Sequence, residues 1–400
     1  MKVEEIKMNK HEMRDSEICL HMGENREEYF GAIAPPIVQT SLFAFQDWES
    51  FLEGITAERE HYVYTRGVNP TTQILEKKLA ELERGEKCKC FASGMAAISS
   101  TIFTFVQQGD HVLFVNNVYG PALSYVKRLG KFGITYTNAF VKNEEEIIEH
   151  ITDKTRLIYI ESPSTMNFDV LDLEKVADIA KERGILTAID NTWATPLNQK
   201  PLTYGIDLVL HSCTKYIAGH SDTVGGALIG NYELVDKVFE IGHQFGGGVM
   251  PPFDAWLILR GLRTLPQRLA YQTETVHQVI QLLQGHPRIR KINHPLCFTG
   301  RDKEVYEKQT TGYTTLFSIE VDFEDYEMLT KFMNSFKVFK LGVSWGGFES
   351  LAISPNYNNE ANHKGLEEVH QSKDLIRLYI GLEAPALILE DLKRALDTLN

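Results

Sequence analysis

A lysine set among small residues just past an apolar run has the surroundings of a reactive amine. Residues 207–226 read DLVLHSCTKYIAGHSDTVGG. Leu208, Val209 and Leu210 have the make-up of a buried strand, and Ser212, Thr214, Gly219, Gly225 and Gly226 leave room for a ligand around Lys215. Most lysines are solvated surface charges, which need no such setting. Just beyond the carboxyl end of a parallel strand, where open α/β sheets bind ligands, the amine could form an imine with a carbonyl compound.

A second strand-like run, Ile185 to Asn191, carries Asp190 near its end, 25 positions before the lysine. A lysine and a carboxylate at neighbouring strand ends suit pyridoxal 5'-phosphate: the amine holds the aldehyde and the carboxylate keeps the ring nitrogen protonated. A buried Asp190–Lys215 ion pair is the plain alternative, and it gives no reason for the small residues nearby.

Other segments carry groups of the same kind. Phe91 to Met95 (FASGM) leads into a helical run, Ala96 to Val106, so free backbone N–H groups at Gly94 and Met95 make a ready anion site, though an ordinary helix cap would look similar. Tyr119 follows the strand-like HVLFV (His111 to Val115), in a loop at its carboxyl end. Tyr64 and Arg66 stand in a loop, Tyr62 to Thr71, marked by Gly67, Asn69 and Pro70. Arg377 interrupts the apolar strand-like LIRLYIGLE (Leu375 to Glu383), where a guanidinium is costly unless it meets an anion or an internal glutamate.

The elements that must position these groups alternate. Strand-like runs at 134–140, 156–162 and 186–191 are separated by helical stretches such as 173–183, which implies an α/β fold with a large, mostly parallel sheet covered on both faces. The expected division is an N-terminal arm and extended segment (1–61), a large cofactor-binding domain (62–255) and a smaller C-terminal α/β domain (256–400). Residues 1–30 are polar and weakly patterned, and Gly246, Gly247 and Gly248 mark a hinge or close-approach loop.

A net charge of -13 argues against nucleic acid or an anionic membrane as partner. No apolar run is long enough to span a bilayer and the first residues are charged where a signal peptide would be apolar, so a cytoplasmic location is expected. Five cysteines at irregular spacing read as reduced thiols, with Cys88 and Cys90 starting a strand. His211 and His220 lack a third ligand at sensible spacing, so no metal is expected, and no GxGxxG opens a strand–helix unit.

Together, SCTKYIAGHSD around Lys215, DNTW from Asp190, YTRGVNPT from Tyr64 and FASGMAAI from Phe91 resemble the Cys/Met-metabolism family of pyridoxal-phosphate enzymes, from about Gly31 to the C-terminus. The resemblance implies a fold-type-I enzyme. It assigns the imine and the Cα proton to Lys215, the ring nitrogen to Asp190, ring stacking and proton transfer to Tyr119, and the cofactor phosphate to Gly94 and Met95. Tyr64 and Arg66 would reach the phosphate of a partner subunit, in a homotetramer built from dimers that share sites. Ser212 and Thr214 complete the expected cofactor set. Ser344 and Arg377 would take the substrate carboxylate, and Trp345, in GVSWGGFESL, resembles the β-lyases acting on cystathionine, an amino-acid thioether. A γ-acting relative shares the constellation; Ser164-Thr165-Met166, where γ-specific members carry an asparagine, and Pro121, where methionine-specific ones carry a cysteine, weaken that assignment. An aminotransferase and a cofactor-binding protein without turnover are more distant alternatives.

Overall fold

The computed structural model describes residues 14–356 and 371–399, so the first thirteen residues of the expected arm lie outside it. Two sheets organise the chain. The larger comprises β1 (Lys87–Phe91), β2 (His111–Val115), β3 (Thr135–Ala139), β4 (Thr155–Ile160), β5 (Leu186–Asp190), β6 (Leu208–Ser212) and β7 (Gly226–Gly230). Their spatial order is β1-β7-β6-β5-β4-β2-β3. From β3 across to β6 every pair is parallel, as the strand–helix alternation requires. β7 reverses direction between β6 and β1, because the connection that carries Lys215 has no crossover helix.

Burial follows the strand period of two. Val112 and Phe114 face a cluster with Ala97, Ile98 and Ile102 of the Gly94–Phe105 helix. Leu113 and Val115 face the opposite cluster with Leu75 and Leu79 of the Pro70–Glu83 helix and Val176 of the Leu173–Lys181 helix. Both faces are therefore covered, and only the strand ends reach solvent or ligand.

The smaller sheet has β8 (Ile289–Asn293), β9 (Leu316–Val321), β10 (Lys340–Leu341), β11 (Leu351–Ile353) and β12 (Leu375–Tyr379), ordered β10-β11-β12-β9-β8. Phe317, Ile319, Ile376 and Leu378 pack with Val276, Ile280 and Phe332 from its covering helices. The alternate residues Leu316 and Tyr379 join the core of the large sheet. Arg377 shares their face of the strand, so the pleat points it inward between the two sheets.

Several expectations change in detail. Residues Asp15–His21 form a helix with Ile18 and Cys19 fully buried, where a weakly patterned arm was expected; the buried Lys78 ammonium donates to both their carbonyls at 3.2 and 3.3 Å. The helices after the Arg66 loop and after Ser93 start two residues earlier than the apolar spacing indicates, at Pro70 and Gly94. Their caps explain this: Asn69 Oδ1 accepts from Thr71 N at 2.9 Å and Ser93 Oγ from Ala96 N at 3.0 Å. The glycine-rich segment is partly helical, with a π turn at Phe239–His243 followed by Gln244–Gly246. Here Gly242 is a close approach, since a Cβ there would meet the Ser100 carbonyl oxygen at 2.5 Å.

All five cysteines are free. Among the described residues, no helix is long and apolar enough to cross a membrane.

Candidate active site

A cavity of about 570 Å³ opens at the carboxyl ends of β4, β5 and β6, against the smaller sheet. Of the residues expected from sequence, Gly94, Met95, Tyr119, Asp190, Ser212, Thr214, Lys215, Ser344, Trp345 and Arg377 all line it. They come from both sheets, and no local segment contains more than three of them.

Lys215 stands in the β6–β7 connection. Its Nζ donates to Ser344 Oγ and lies 5.4 Å from the centroid of the Trp345 ring. Burial lowers its pKa to about 8, helped by the Arg377 cation and opposed by Asp190. Arg268 anchors the turn from beneath: its buried guanidinium donates to the carbonyls of Tyr216 at 2.7 Å and Gly261 at 3.0 Å. The Tyr216 hydroxyl in turn accepts from Thr315 N and Leu316 N at 3.0 and 3.1 Å, which ties the turn to β9.

Asp190 ends β5 next to β6, with Leu210 as its register partner. Its Oδ1 accepts from Thr192 N at 3.0 Å and from Thr192 Oγ1 at 2.5 Å, and Thr192 Oγ1 accepts from Ser212 N at 2.7 Å. Burial raises its pKa, while these hydrogen bonds, His211 and Lys215 oppose the rise. Thr214 Oγ1 accepts from Gly225 N at 3.0 Å, which shapes the far side of the lysine turn.

Across the cavity, the Gly94–Phe105 helix presents its N-terminus. A Cβ on Gly94 would meet Ser212 Cβ at 3.0 Å, and one on Gly226 would meet the Ser93 carbonyl oxygen at 2.2 Å, so glycine lets this helix start sit directly on β6 and β7. Ser93 satisfies only Ala96 N, which leaves the Gly94 and Met95 N–H groups for an anion.

Tyr119 precedes the Gly120–Leu129 helix at the cavity mouth, its ring half exposed. Its N–H donates to Glu161 Oε1 at 2.5 Å. Burial raises its phenol pKa, with smaller contributions from Asp190 and Glu161.

Ser344 has φ +82, in the left-handed region uncommon for a residue with a side chain. Its carbonyl accepts from Arg377 Nη2 at 3.0 Å. Among the described residues Arg377 has no carboxylate partner, so the internal salt bridge that the sequence left open is not formed with any of them. Burial lowers its pKa to about 10. Trp345 packs on Tyr216 with ring centroids 5.4 Å apart.

Tyr64 and Arg66 are not among the residues lining this cavity. Arg66 Nε donates to Gln244 Oε1 at 2.9 Å and its guanidinium carbon lies 5.1 Å from the centroid of the Tyr64 ring, on an exposed loop.

Three residues of the site escaped the sequence reading of function. Thr192 links the Asp190 carboxylate to Ser212 N on the next strand, and Arg268 binds the carbonyl of Tyr216, 52 residues away, so both links depend on the fold. Glu161 had a visible signal: a carboxylate just past an apolar strand run, as Asp190 is on the next strand. It is buried, with its pKa pushed up to about 8 by burial and then by Asp190.

A neutral-capable amine, a buried carboxylate and unpaired helix N–H groups around one cavity fit the aldehyde, ring nitrogen and phosphate of pyridoxal phosphate. Comparison with known proteins agrees. The model of the family described as Cys/Met metabolism PLP-dependent enzyme matches residues 16–397. The L-methionine gamma-lyase of Fusobacterium nucleatum subsp. polymorphum is 36% identical over 389 residues, which cover 95% of this chain and 97% of that protein. The cystathionine beta-lyase of Coxiella burnetii is 33% identical over 385 residues, covering 94% and 96%. The solved cystathionine gamma synthase of Xanthomonas oryzae pv. oryzae superposes with a TM-score of 0.90 at 32% identity, covering 97% of this chain and 98% of that one. These relatives differ in the reaction they are named for, and the chain belongs to the Cys/Met-metabolism family of pyridoxal-phosphate-dependent enzymes of fold type I.

Proposed function

We propose that the chain is a carbon–sulfur lyase of the cystathionine β-lyase type, which converts L-cystathionine and water to homocysteine, pyruvate and ammonia. The observation that carries this reading is the contact of Lys215 with the Ser344–Trp345 pair. It places a partly desolvated amine beside a bulky apolar wall, with Arg377 behind it.

Pyridoxal phosphate, when bound, supplies an electron sink for the charge left at Cα. Lys215 would hold its aldehyde, Asp190 would hold the proton on its ring nitrogen, and the N–H groups of Gly94 and Met95 would hold its phosphate beside Ser212 and Thr214. The chain's own residues do the rest. Arg377 binds the substrate α-carboxylate in a bidentate pair, and Ser344 narrows the same pocket. With its amine free, Lys215 would accept the Cα proton at Nζ. Ser344 Oγ and the Trp345 face keep Nζ in place for that transfer. Tyr119, a phenol that keeps its proton at neutral pH, can deliver it to the departing sulfur as the Cβ–S bond breaks. Tyr64 and Arg66 would complete the phosphate site of a second copy, in a dimer or a tetramer of such dimers.

A γ-acting enzyme is the second reading, favoured by the similarity to L-methionine gamma-lyase. Analysis of the products formed from L-cystathionine by the cofactor-loaded protein separates the two. Pyruvate with homocysteine is expected. 2-Oxobutyrate with cysteine would replace this reading by the γ one.

A further inference from the structure

The mechanism above leaves one buried ionisable group of the cavity without a task. Glu161 follows β4 as Asp190 ends β5, and the two strands are hydrogen-bonded neighbours, with Ile160 opposite Ile189. Both carboxyl groups line the cavity, and Glu161 is only 7% exposed. Glu161 also joins two walls of that cavity. Its Oε1 accepts from Tyr119 N at 2.5 Å, and Thr165 binds the carboxyl through its hydroxyl and its backbone.

The charges around the pair are uneven. Asp190 feels the Lys215 ammonium and takes two hydrogen bonds from Thr192. The chief charge acting on Glu161 is Asp190, and Glu161 in turn raises the phenols of Tyr119 and Tyr159; of the cavity's cations, Lys215 acts on Asp190 and Arg377 on Lys215. The Tyr159 hydroxyl is itself fully buried and has no hydrogen-bond partner among the described residues. Two carboxylates side by side in a desolvated site repel strongly, so one of them retains a proton, and the member that Lys215 does not offset is the one that does. A protonated Glu161 keeps its main contacts: the carbonyl oxygen of an acid still accepts from Tyr119 N–H, and the Thr165 hydroxyl can accept where it formerly donated.

We propose that Glu161 is the proton-carrying member of a buried carboxyl pair with Asp190, leaving Asp190 as the single anion of the site while it positions Tyr119 through the backbone. The proposal rests on the reading that Asp190 faces the cofactor ring nitrogen. Glu161 is a positioning residue, and its state sets how much negative charge the cavity holds. As pH rises above neutrality it loses its proton, and a second anion then appears between Asp190 and Tyr119.

The test is the infrared spectrum of the cofactor-loaded protein labelled with carbon-13 glutamate. At neutral pH a protonated-carboxyl C=O band is expected that shifts with the label, fades as pH rises, and is missing in Glu161→Gln. A label-independent band, no band at neutral pH, or a band that persists in the variant overturns the proposal. Should Glu161→Gln fold poorly, the label and the pH titration of the unsubstituted protein still decide. In kinetics, Glu161→Gln should keep at least ~10-fold more kcat than Glu161→Ala, because the amide retains an oxygen for Tyr119 N–H and carries no charge. Equal losses in the two overturn the positioning role. The band does not depend on which carbon–sulfur bond is cleaved, so failure of the β-lyase reading appears in the products alone. If Asp190 does not serve the ring, Asp190→Asn leaves the visible absorption of the bound cofactor unchanged, whatever the infrared band does.

Discussion

Ser344 bridges the two cations of the site: its carbonyl accepts from Arg377 Nη2 at 3.0 Å and its hydroxyl bonds Lys215 Nζ. The bridge uses a backbone at φ +82, which costs a residue with a Cβ about 1–2 kcal/mol. Such strain persists only where the surroundings impose it. Here the surroundings are a packed turn, Gly346 against Lys215 and Tyr216.

That packing gives the first prediction. Gly346 has φ +85, and a Cβ there would lie 2.6 Å from Tyr216 N and 2.8 Å from Lys215 Cα. Gly346→Ala should push Ser344 and Trp345 away from the lysine and lower kcat by roughly 100-fold, the effect of a misplacement on the order of 1 Å. The far-ultraviolet circular dichroism should be unchanged. Undiminished turnover would show that this strap does not position the amine.

Among the described residues Arg377 has no carboxylate partner and makes one hydrogen bond, to a carbonyl, so most of its donors are available to an incoming anion. Arg377→Lys keeps a positive charge but not the fork. Steady-state kinetics should show kcat/KM reduced roughly 10- to 100-fold, corresponding to the ~1.5–3 kcal/mol of a charge-assisted bond, with most of the change in KM. A loss confined to kcat would argue that Arg377 does not hold the substrate carboxylate.

The lysine itself predicts a pH dependence. Its pKa is lowered from 10.5 to about 8, so it is cationic below that value and neutral above it. Only the neutral amine attacks an aldehyde. The rate at which cofactor-free protein captures pyridoxal phosphate, followed by visible absorption, should rise with pH through a midpoint at about 8 and level off well above it. Arg377→Met removes a repelling cation, which raises the lysine pKa, and the midpoint should move to higher pH. A midpoint that stays or falls would mean that Arg377 does not act on Lys215.

Tyr64 and Arg66 lie outside the cavity of their own chain. If they complete the site of a second copy, Arg66→Ala and Lys215→Ala, each inactive alone, should recover about a quarter of the normal activity after random subunit exchange, since half of the dimers would carry one intact site of two. No recovery once exchange is demonstrated by mass would place both residues outside the site.

Chemistry was legible in the chain because it depends on residue type against local pattern. Lys215 and Asp190 stand out as charged groups at the ends of apolar strand runs, and Gly94 as a small residue at a helix start. The same pattern contained Glu161, at the end of the next strand, but nothing local distinguishes a carboxylate that faces a cavity from one that faces water. That distinction requires β4 beside β5, which is a matter of strand order. The helical content of residues 15–21 was missed for a related reason: it is stabilised by burying Ile18 and Cys19 against a distant helix, not by its own spacing.

The sequence alone determined the identity of the reactive groups, the alternation of strands and helices, and through the period of two which strand faces are apolar, since all three are properties of neighbours along the chain. Only the tertiary structure decided which groups meet. Lys215 and Ser344 are 129 residues apart and touch because β9 and β12 dock the face that carries Leu316, Arg377 and Tyr379 against the larger sheet. Burial then sets what each group does: desolvation beside Arg377 brings the lysine toward neutrality, and desolvation beside Asp190 keeps a proton near Glu161. Proximity and desolvation are properties of the packed molecule, and no stretch of sequence contains them.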